Sequence, residues 1–525
     1  MKVAFSTLGC RVNTYESEAM AEKFVREGYE IVDSSEKADV YVINTCSVTN
    51  MGDKKSRQII GKARRLNEEA IIAAVGCYSQ IAPDEVSAIE GVDVVLGTRN
   101  KGDIVYYVNK ARDEQKQQIQ VAEVLKNKEF EDLSIADYQD KTRAFLKIQD
   151  GCNRFCAYCL IPYTRGAVCS KDFNKVMQEI KDLASHGFKE IILSGIHTAS
   201  YGVDLEEKVS VVDILEAIEN IDGIERVRIG SIDPTFFTED VVKRIVCLKK
   251  LCPQFHLSLQ SGCDATLKRM NRRYSSKKYE EIVNLLRDKI KDVSITTDVI
   301  VGFPGETQKD FDELCEFVKK AKFDKLGAFM YSKEDGTPAA KMPEQIHGNT
   351  KKSRYNKIME IQQKISNENL KNKIDKSLES NTGIGHTRWA THGEPSENNA
   401  HPHRSDDGNV VAVHNGIIEN YQELKNKLTR KGYTFYSETD TEVAVKLIDY
   451  YYKKYEGTPV DAITHSMVRI RGSYALAIMF KDYPGEIYVA RKDSPMILGV
   501  AEDESFIASD VPAILKYTRN VYYIG

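Results

Sequence analysis

Three cysteines stand close together in one short stretch of the chain, at the spacing CxxxCxxC: Cys152, Cys156 and Cys159. Thiolates are soft ligands that suit iron–sulfur clusters or zinc. Three thiolates on one loop can hold three irons of a 4Fe–4S cluster and leave the fourth iron open to another ligand. A closed zinc site would need a fourth Cys or His, and none lies close in sequence. The spacing therefore favours an open iron–sulfur cluster, with a zinc loop or three buried thiols as alternatives.

Three further cysteines lie apart in the first hundred residues, each directly after an apolar run: Cys10, Cys46 and Cys77. Each lies in a turn context, as in Leu8-Gly9-Cys10. The apolar runs predict buried strands, and helical patterns between them predict a parallel sheet. The carboxyl ends of parallel strands share one edge, which is where such folds build sites. We therefore expect a second cluster at this edge, with three buried thiols as the alternative.

These six cysteines are positioned by two predicted α/β domains, residues 1–115 and residues 142–345, joined by a polar connector at 116–141 with some strand near 119–124. The predicted strands of the first domain are Val3–Leu8, Val40–Asn44, Ile71–Val75 and Val92–Leu96. Its predicted helices are Glu16–Gly28, Lys54–Leu66 and Asp84–Ile89. The alternation predicts a Rossmann-like domain with a parallel sheet.

The second domain also alternates strands with helices. After the strand that precedes Cys152, its predicted strands are Ile191–Leu193, Val227–Ile229, Phe255–Leu259, Ile295–Val301 and Ala328–Tyr331. Its predicted helices are Asn174–His186, Val211–Glu219, Glu239–Leu248, Tyr279–Ile290 and Thr307–Ala321. Six such units predict an incomplete TIM-like (βα)6 barrel, whose ligand would lie at the carboxyl ends of the strands. The candidate cofactor-binding residues at these ends are Ser194, Gly195, His197, Ser258, Gln260, Gly302 and Glu306.

Composition limits the broad class of the protein. The chain has 525 residues, a formal charge of −4, and no apolar run long enough to span a membrane. It begins with a strand-like pattern and not with a secretory leader, so we expect a cytoplasmic protein. All eleven cysteines lie between Cys10 and Cys315, whereas the only tryptophan, Trp389, lies beyond them. Cysteines without an export signal indicate metal or redox use and not disulfides.

The first two domains together resemble the methylthiotransferases, a branch of the radical S-adenosylmethionine (SAM) enzymes. The resemblance rests on the CxxxCxxC loop, on the barrel motifs, and on the segments 7–13, 43–49 and 76–80. It implies that Cys152, Cys156 and Cys159 hold a cluster whose open iron chelates SAM and whose electron releases a 5′-deoxyadenosyl radical. It further implies that the other three cysteines hold an auxiliary 4Fe–4S cluster carrying sulfur. A flavodoxin or ferredoxin would supply electrons.

Three subgroups of this family differ in substrate. The segment Leu8–Asn13, the run Gly195-Ile196-His197 and the pair Tyr201-Gly202 look most like the group that acts on threonylcarbamoyladenosine. This resemblance implies transfer of a methylthio group to C2 of that adenosine, beside the anticodon in the tRNA stem-loop. The alternatives are another tRNA adenosine, a ribosomal protein, or an RNA-binding scaffold with inert clusters.

After a predicted helical segment and junction at residues 346–380, the chain changes character. Residues 381–525 resemble the glutaminase domain of glutamine–fructose-6-phosphate aminotransferase, beginning at His386-Thr387-Arg388-Trp389. The resemblance carries over the glutamine-site and oxyanion positions Arg388, Trp389, Thr391, His392, Asn415, Gly416 and Asp440. The resemblance also implies that His392, His401 and His403 support the fold of this domain and are not metal ligands.

This last domain lacks the nucleophile of the family it resembles. That nucleophile is an N-terminal cysteine whose own α-amine acts as the base, whereas residues 316–525 contain no cysteine. The strands that should precede the motif at His386 are also missing, so we expect an incomplete α+β domain of the N-terminal-nucleophile type. Acyl transfer without its nucleophile fails at the chemical step. We therefore predict no glutaminase activity; a working glutamine amidotransferase is the alternative.

Overall fold

The computed structural model describes residues 1–46, 50–126, 129–133, 143–373, 380–387, 398–455, 457–515 and 517–524. The chain divides into two compact units, Met1–Ile374 and Asp375–Gly525. Within the described ranges, no helix is both long and apolar enough to cross a lipid bilayer. The first unit contains both predicted α/β domains, so all six candidate cluster cysteines belong to one compact body.

The first unit begins with a six-stranded parallel sheet in the order β2-β1-β3-β4-β5-β6. Its strands are β1 Lys2–Thr7, β2 Glu30–Val32, β3 Val40–Thr45, β4 Ile71–Gly76, β5 Val94–Leu96 and β6 Gln118–Gln120. Its helices are α1 Arg11–Arg26, α2 Asn50–Leu66, α3 Cys77–Ile81, α4 Pro83–Ser87 and α5 Ile104–Glu114. The predicted strands and helices are confirmed, and the strand expected near residues 119–124 becomes the sheet edge β6. The short strand β2 and the helices α3 and α5 were not predicted.

The barrel follows. Its strands are β7 Arg143–Asp150, β8 Cys169–Ser170, β9 Glu190–Gly195, β10 Arg226–Ile229, β11 Gln254–His256, β12 Ser294–Val301 and β13 Lys325–Met330. They form the sheets β10-β9-β7-β8 and β11-β12-β13, and single parallel bridges, Val227 to Leu251 and Ile232 to Leu257, continue from one sheet towards the other. Except for the short antiparallel β8, the paired strands run parallel. The predicted incomplete (βα)6 barrel is confirmed, although β11 ends at His256, three residues earlier than expected.

The helices of the barrel cover the sheet with apolar faces. They are α6 Ile161–Arg165, α7 Phe173–Ser185, α8 Val211–Ile218, α9 Glu239–Ile245, α10 Asp264–Arg269, α11 Ser276–Lys289, α12 Gln308–Ala321 and α13 Gly348–Lys373. Helix α8 shows why such a segment is helical: Ser210 and Asp213 form a capping box, and five aliphatic residues of the helix are buried. Burying each such side chain stabilises the fold by about 1.5–3 kcal/mol.

The second unit is antiparallel. Its strands are β14 His403–Arg404, β15 Val410–Ile418, β16 Gly472–Phe480, β17 Tyr488–Lys492, β18 Ile497–Val500, β19 Ser505–Ala508 and β20 Val521–Tyr523. Its helices are α14 Tyr421–Thr429, α15 Asp440–Tyr455 and α16 Pro459–Met467. The sheets have the orders β14-β15-β16-β17 and β19-β18-β20, and the three helices share an apolar core with β15 and β16. This is an α+β arrangement, as predicted.

Candidate iron–sulfur and substrate site

One cysteine from each set lines the same cavity in the first unit. The cavity has a volume of about 320 Å³, and both Cys77 and Cys159 line it. The barrel contributes Gln260 from the loop after β11, Asp298 from β12 and Met330 from β13. A group carried on the Cys77 side and a reactive species formed on the Cys159 side would therefore share one cavity.

The CxxxCxxC loop is held in place by a glycine that no other residue can replace without strain. Gly151 has a φ of +70°, and a Cβ at this position would lie 1.9 Å from the carbonyl oxygen of Ala167. The backbone N–H of Cys152 donates to the carbonyl of Gly166 at 3.0 Å. Cys156 is buried and Cys152 is partly exposed. The loop thus leaves the strand β7 in a fixed direction.

Burial of these thiols favours their protonated form when no metal is bound. Burial raises the pKa of Cys152, and it raises the pKa of Cys159 to about 12. A thiolate is the form that binds metal, so metal binding must release these protons and offset the cost of burial. The donor set is therefore one that a metal cluster would stabilise.

A group of charged side chains surrounds the same loop. The guanidinium of Arg272 donates to Sγ of Cys156 at 3.5 Å and to the carbonyl of Ser258 at 3.1 Å. The Asp233 carboxylate lies 3.6 Å from Nε2 of His197 and 3.7 Å from the Arg154 guanidinium. Burial raises the pKa of Asp233, but hydrogen bonds and the nearby cations outweigh burial and hold that pKa well below its usual range. Asp233 is therefore an anion beside the loop.

Sequence reasoning missed Arg272 and Asp233. Asp233 follows β10 at the carboxyl end of a barrel strand, and that position was the available signal. Arg272 lies in the segment between α10 and α11, where no sequence pattern marks it.

The predicted cofactor-binding residues fall into three groups. Gln260 lines the cavity and has a φ of +68°, and the ring of His197 lies beside Arg154 and Asp233. Glu306, in contrast, accepts hydrogen bonds from the backbone N–H of Gly302 and from Arg354.

The remaining three candidates, Ser194, Gly195 and Ser258, form a third group, which lies at or after the ends of barrel strands. Ser194 and Gly195 end β9, and Ser258 offers its carbonyl to Arg272 and Tyr274. The structure thus brings Gln260 and His197 to the site and gives Glu306 a role in closing its own turn.

The auxiliary cysteines follow β1, β3 and β4, which are neighbours in the sheet. Nδ2 of Asn13 donates to the carbonyl of Leu8 at 2.7 Å and to that of Thr45 at 3.1 Å, so it ties the loops of Cys10 and Cys46 together. A Cβ on Gly9 would lie 2.9 Å from Sγ of Cys46. The parallel topology therefore gathers the cysteine-bearing loops at one edge, as the sequence predicts.

The third loop joins the other two through Thr45. Its Oγ1 accepts from the backbone N–H of Tyr78 at 3.2 Å, next to Cys77. None of the eleven cysteines forms a disulfide in the structure. Among the residues that the structure describes, no three His, Cys, Asp or Glu side chains converge as a single metal ion requires. The thiolates of a 4Fe–4S cluster bind different irons. The hydrogen bonds through Asn13 and Thr45 hold the three cysteine-bearing loops side by side, which fits such a cluster.

Three of the residues carried over from the glutaminase resemblance lie in the described part of the second unit: Asn415, Gly416 and Asp440. Asp440 begins α15, is buried, and accepts from the backbone N–H of Ile418 at 2.9 Å. Asn415 and Gly416 lie in β15; Asn415 is exposed, and a Cβ on Gly416 would lie 2.2 Å from the carbonyl oxygen of Ser473. The four other positions lie outside the described residues: Arg388, Trp389, Thr391 and His392.

Comparison with known families agrees with this division. Residues 2–97 match the model described as "Uncharacterized protein family UPF0004", residues 146–318 match the radical SAM superfamily, and residues 386–516 match a glutamine amidotransferase domain. These matches define a radical SAM enzyme joined to an amidotransferase-like domain. The expected fusion of two unlike parts is therefore confirmed.

Relatives define the family more closely. The chain is 42% identical over 366 residues to the threonylcarbamoyladenosine tRNA methylthiotransferase MtaB of Bacillus subtilis (strain 168), covering 70% of this chain and 81% of that protein. It is 40% identical to the MtaB of Aquifex aeolicus (strain VF5), covering 69% and 88%. It is 39% identical to the tRNA-2-methylthio-N(6)-dimethylallyladenosine synthase of Clostridium tetani (strain Massachusetts / E88), covering 70% and 83%. The chain belongs to the radical SAM tRNA methylthiotransferase family, which uses 4Fe–4S clusters and SAM.

Solved structures give more distant likenesses. The radical SAM methyltransferase TsrM of Kitasatospora setae aligns with a TM-score of 0.47 at 14% identity, covering 64% of this chain and 74% of that chain. The glutamine phosphoribosylpyrophosphate amidotransferase of Bacillus subtilis aligns with a TM-score of 0.22 at 29% identity, covering 26% and 29%.

Proposed function

We propose that this chain transfers a methylthio group to C2 of N6-threonylcarbamoyladenosine beside the anticodon of tRNA. The observation that carries the proposal is the cavity lined by both Cys77 and Cys159. Sulfur insertion needs a sulfur donor and a radical source within reach of the same substrate carbon. One cavity that a cysteine of each set lines meets that need.

The cysteine sets divide the work. Cys152, Cys156 and Cys159 hold the cluster that binds SAM, and the other set, Cys10, Cys46 and Cys77, holds the auxiliary cluster. When bound, these clusters supply the electron that cleaves SAM and the sulfur that is inserted. The protein's own residues position the reactants: Arg272 donates to Cys156, and Gln260 offers a polar side chain inside the cavity.

The walls of the cavity suit a nucleobase. Phe329 lines the cavity and is 56% exposed, and Tyr158 and Ile300 add further apolar surface. An exposed aromatic ring can stack on a base, which contributes about 1–3 kcal/mol per base in single-stranded nucleic-acid binding. Apolar walls also keep water away from a reactive radical.

The choice among substrates rests on the motifs that contain Cys10 and His197, which look most like the threonylcarbamoyladenosine group. The two MtaB proteins are 42% and 40% identical to this chain and the dimethylallyladenosine enzyme of Clostridium tetani is 39% identical, so these identities support the family that the two substrates share. The proposal includes a flavodoxin or ferredoxin as the electron donor, because this tRNA modification needs an electron source. It also places the protein in the cytoplasm, because the enzyme needs access to tRNA.

Mass spectrometry of tRNA nucleosides tests the proposal. Expression of this chain in a strain that lacks its methylthiotransferases should restore 2-methylthio-N6-threonylcarbamoyladenosine, and a Cys77→Ala variant should not. Reconstituted protein should hold about eight irons per chain, as two clusters of four. Appearance of a methylthiolated dimethylallyl adenosine alone would instead assign the second substrate. If neither product appears and SAM with reductant yields no 5′-deoxyadenosine, the result would support the alternative of an RNA-binding scaffold with inert clusters.

The second unit is proposed to be catalytically silent towards glutamine. Its amidotransferase-like region contains no cysteine, and an acyl-transfer step needs a nucleophile. The oxyanion residue Gly416 is explained by its close approach to Ser473, and Asp440 by its bond to Ile418. These roles support folding without requiring catalysis.

A further inference from the structure

A cluster of charged side chains is buried within the first unit, between the sheet domain and the barrel. Its cations are Arg99, Lys101, Lys147 and Arg165, and its carboxylates are Glu16 and Asp150, with Glu131 beside them. Arg165, Lys101, Lys147, Glu16 and Asp150 are all fully buried. Removing so many charges from water is costly, so a structural role alone would favour apolar residues here.

The ion pairs of this cluster centre on two carboxylates. Glu16 accepts from Lys147 at 2.7 Å and from Arg165 at 2.6 Å, and it also pairs with Lys101. Asp150 lies 2.6 Å from Lys147 and 3.1 Å from Arg165. Burial raises the pKa of both carboxyls, but the surrounding cations outweigh burial and hold each pKa well below its usual range. Both groups are therefore anions.

The cluster carries more positive than negative charge. Four cations face the anions Glu16 and Asp150, and the third carboxyl, Glu131, has its pKa raised by burial. Even with Glu131 ionised, the described residues of the cluster carry four positive charges against three negative ones. The excess lies in a region without solvent, where charges interact more strongly than in water.

Arg165 lies at the side of this cluster that faces the auxiliary cysteines. Its Nη2 donates to Oδ1 of Asn13, and that same oxygen lies 4.0 Å from Sγ of Cys10. Burial lowers the pKa of Arg165, while Glu16, Asp150, Cys77 and Cys10 raise it, so that its pKa is raised overall. The guanidinium that pairs with Glu16 and Asp150 is therefore also a positive charge close to these two thiols.

We propose that Arg165 is a positioning residue that raises the reduction potential of the auxiliary cluster by holding the excess positive charge of this ion cluster beside Cys10 and Cys77. The inference rests on the proposed function, because it takes these cysteines as the ligands. A nearby positive charge favours the cluster state that carries one more electron, and charges outside the ligand shell tune a metal site in this way.

The test uses the full chain with Cys152, Cys156 and Cys159 changed to alanine, so that only the auxiliary cluster remains. Arg165→Gln removes the positive charge, and Glu16→Gln removes a neutralising negative charge. With dithionite as reductant and electron paramagnetic resonance as readout, we expect Arg165→Gln to disfavour reduction about tenfold, which is about 59 mV for one electron. Glu16→Gln should shift the potential in the opposite direction.

Two controls separate charge from structure. Arg165→Lys keeps the charge and should shift the potential less than half as far as Arg165→Gln. Arg244→Gln removes an arginine that pairs with Asp213 and Glu216 at the barrel exterior, and it should cause no shift.

The inference would be overturned if Arg165→Gln and Glu16→Gln, each holding about four irons per chain, shifted the reduction potential equally or in the same direction. If Arg165→Gln holds no iron, the comparison of Glu16→Gln with Arg165→Lys decides. If the parent protein with only Cys10, Cys46 and Cys77 holds no iron, the auxiliary site itself is wrong, and the proposed function falls together with the inference.

Discussion

Nη1 of Arg272 lies 3.5 Å from Sγ of Cys156, although 116 positions separate the two residues in the chain. The same guanidinium reaches the carbonyl of Ser258 and the hydroxyl of Tyr274. It therefore joins the CxxxCxxC loop to the segment that follows β11. A buried cation that donates to a cysteine sulfur stabilises the thiolate that a metal cluster requires.

We expect Arg272→Gln to lower the rate of 5′-deoxyadenosine formation about tenfold or more, because the variant loses a charge-assisted donor worth about 1.5–3 kcal/mol. Anaerobic incubation of reconstituted protein with SAM and dithionite measures this rate. Arg244→Gln is the matched control, since it removes an exposed arginine. An unchanged rate in Arg272→Gln would show that the contact with Cys156 is incidental.

Gly151→Ala should abolish the radical SAM cluster. The added Cβ would lie 1.9 Å from the carbonyl oxygen of Ala167, at a φ of +70°, directly before Cys152. Iron content should fall from about eight to about four per chain. Gly187→Ala is the control, because Gly187 has a φ of +87° with nothing within 4 Å of its Cβ position. Equal iron content in both variants would contradict the role assigned to Gly151.

Replacing Asp53 by asparagine should stabilise the folded protein, by an amount that depends on pH. Burial raises the pKa of Asp53 to about 6, with the charges of Glu334 and Glu85 adding to the shift against Arg57. A carboxyl with a raised folded-state pKa loses its contribution to stability as pH rises through that pKa. The advantage of Asp53→Asn over the parent protein in melting temperature should therefore grow between about pH 4 and about pH 6 and level off above that range. The exposed Asp113→Asn should show no such trend, and an advantage that shrinks with pH would refute the assignment.

In the second unit, Gly416→Ala should destabilise the fold far more than Gly408→Ala. Gly408 has a φ of +70° and open space around its Cβ position, so alanine there costs about 1–2 kcal/mol of left-handed strain. Gly416 adds a 2.2 Å approach to the carbonyl oxygen of Ser473, which costs about another 1–3 kcal/mol. Denaturant unfolding monitored by Trp389 fluorescence compares the two variants. Similar midpoints would mean that Gly416 is not needed for packing.

Glutamine hydrolysis should not exceed the background rate without enzyme. The amidotransferase-like region, residues 386–516, has no cysteine to attack the amide carbon. Ammonia release from glutamine, measured with the full chain, tests this directly. Asp440→Asn serves as a check on any signal, because a genuine glutamine site would respond to that change. Hydrolysis that the variant removes would establish an activity with a different nucleophile.

The sequence by itself determined the class of the domains and predicted where the chemistry takes place. Cys152, Cys156 and Cys159 have the spacing that lets one loop supply three ligands to a cluster. Cys10, Cys46 and Cys77 each come after a strand, and the ends of these strands must meet at one sheet edge. Such features are local or periodic, so they leave a readable pattern. Strand β2 and helix α3 left none, because three and five residues are too few to show a period.

Only the tertiary structure decided which distant residues serve those cysteines. Arg165 pairs with Glu16 across 149 positions, and Arg272 reaches Cys156 across 116. It also decided that Cys77 and Cys159 line one cavity. The physical reason is that two charged residues brought together by folding have no fixed spacing along the chain. Their pairing depends on burial and on the approach of separate elements. Both of these exist only after the barrel has packed against the sheet.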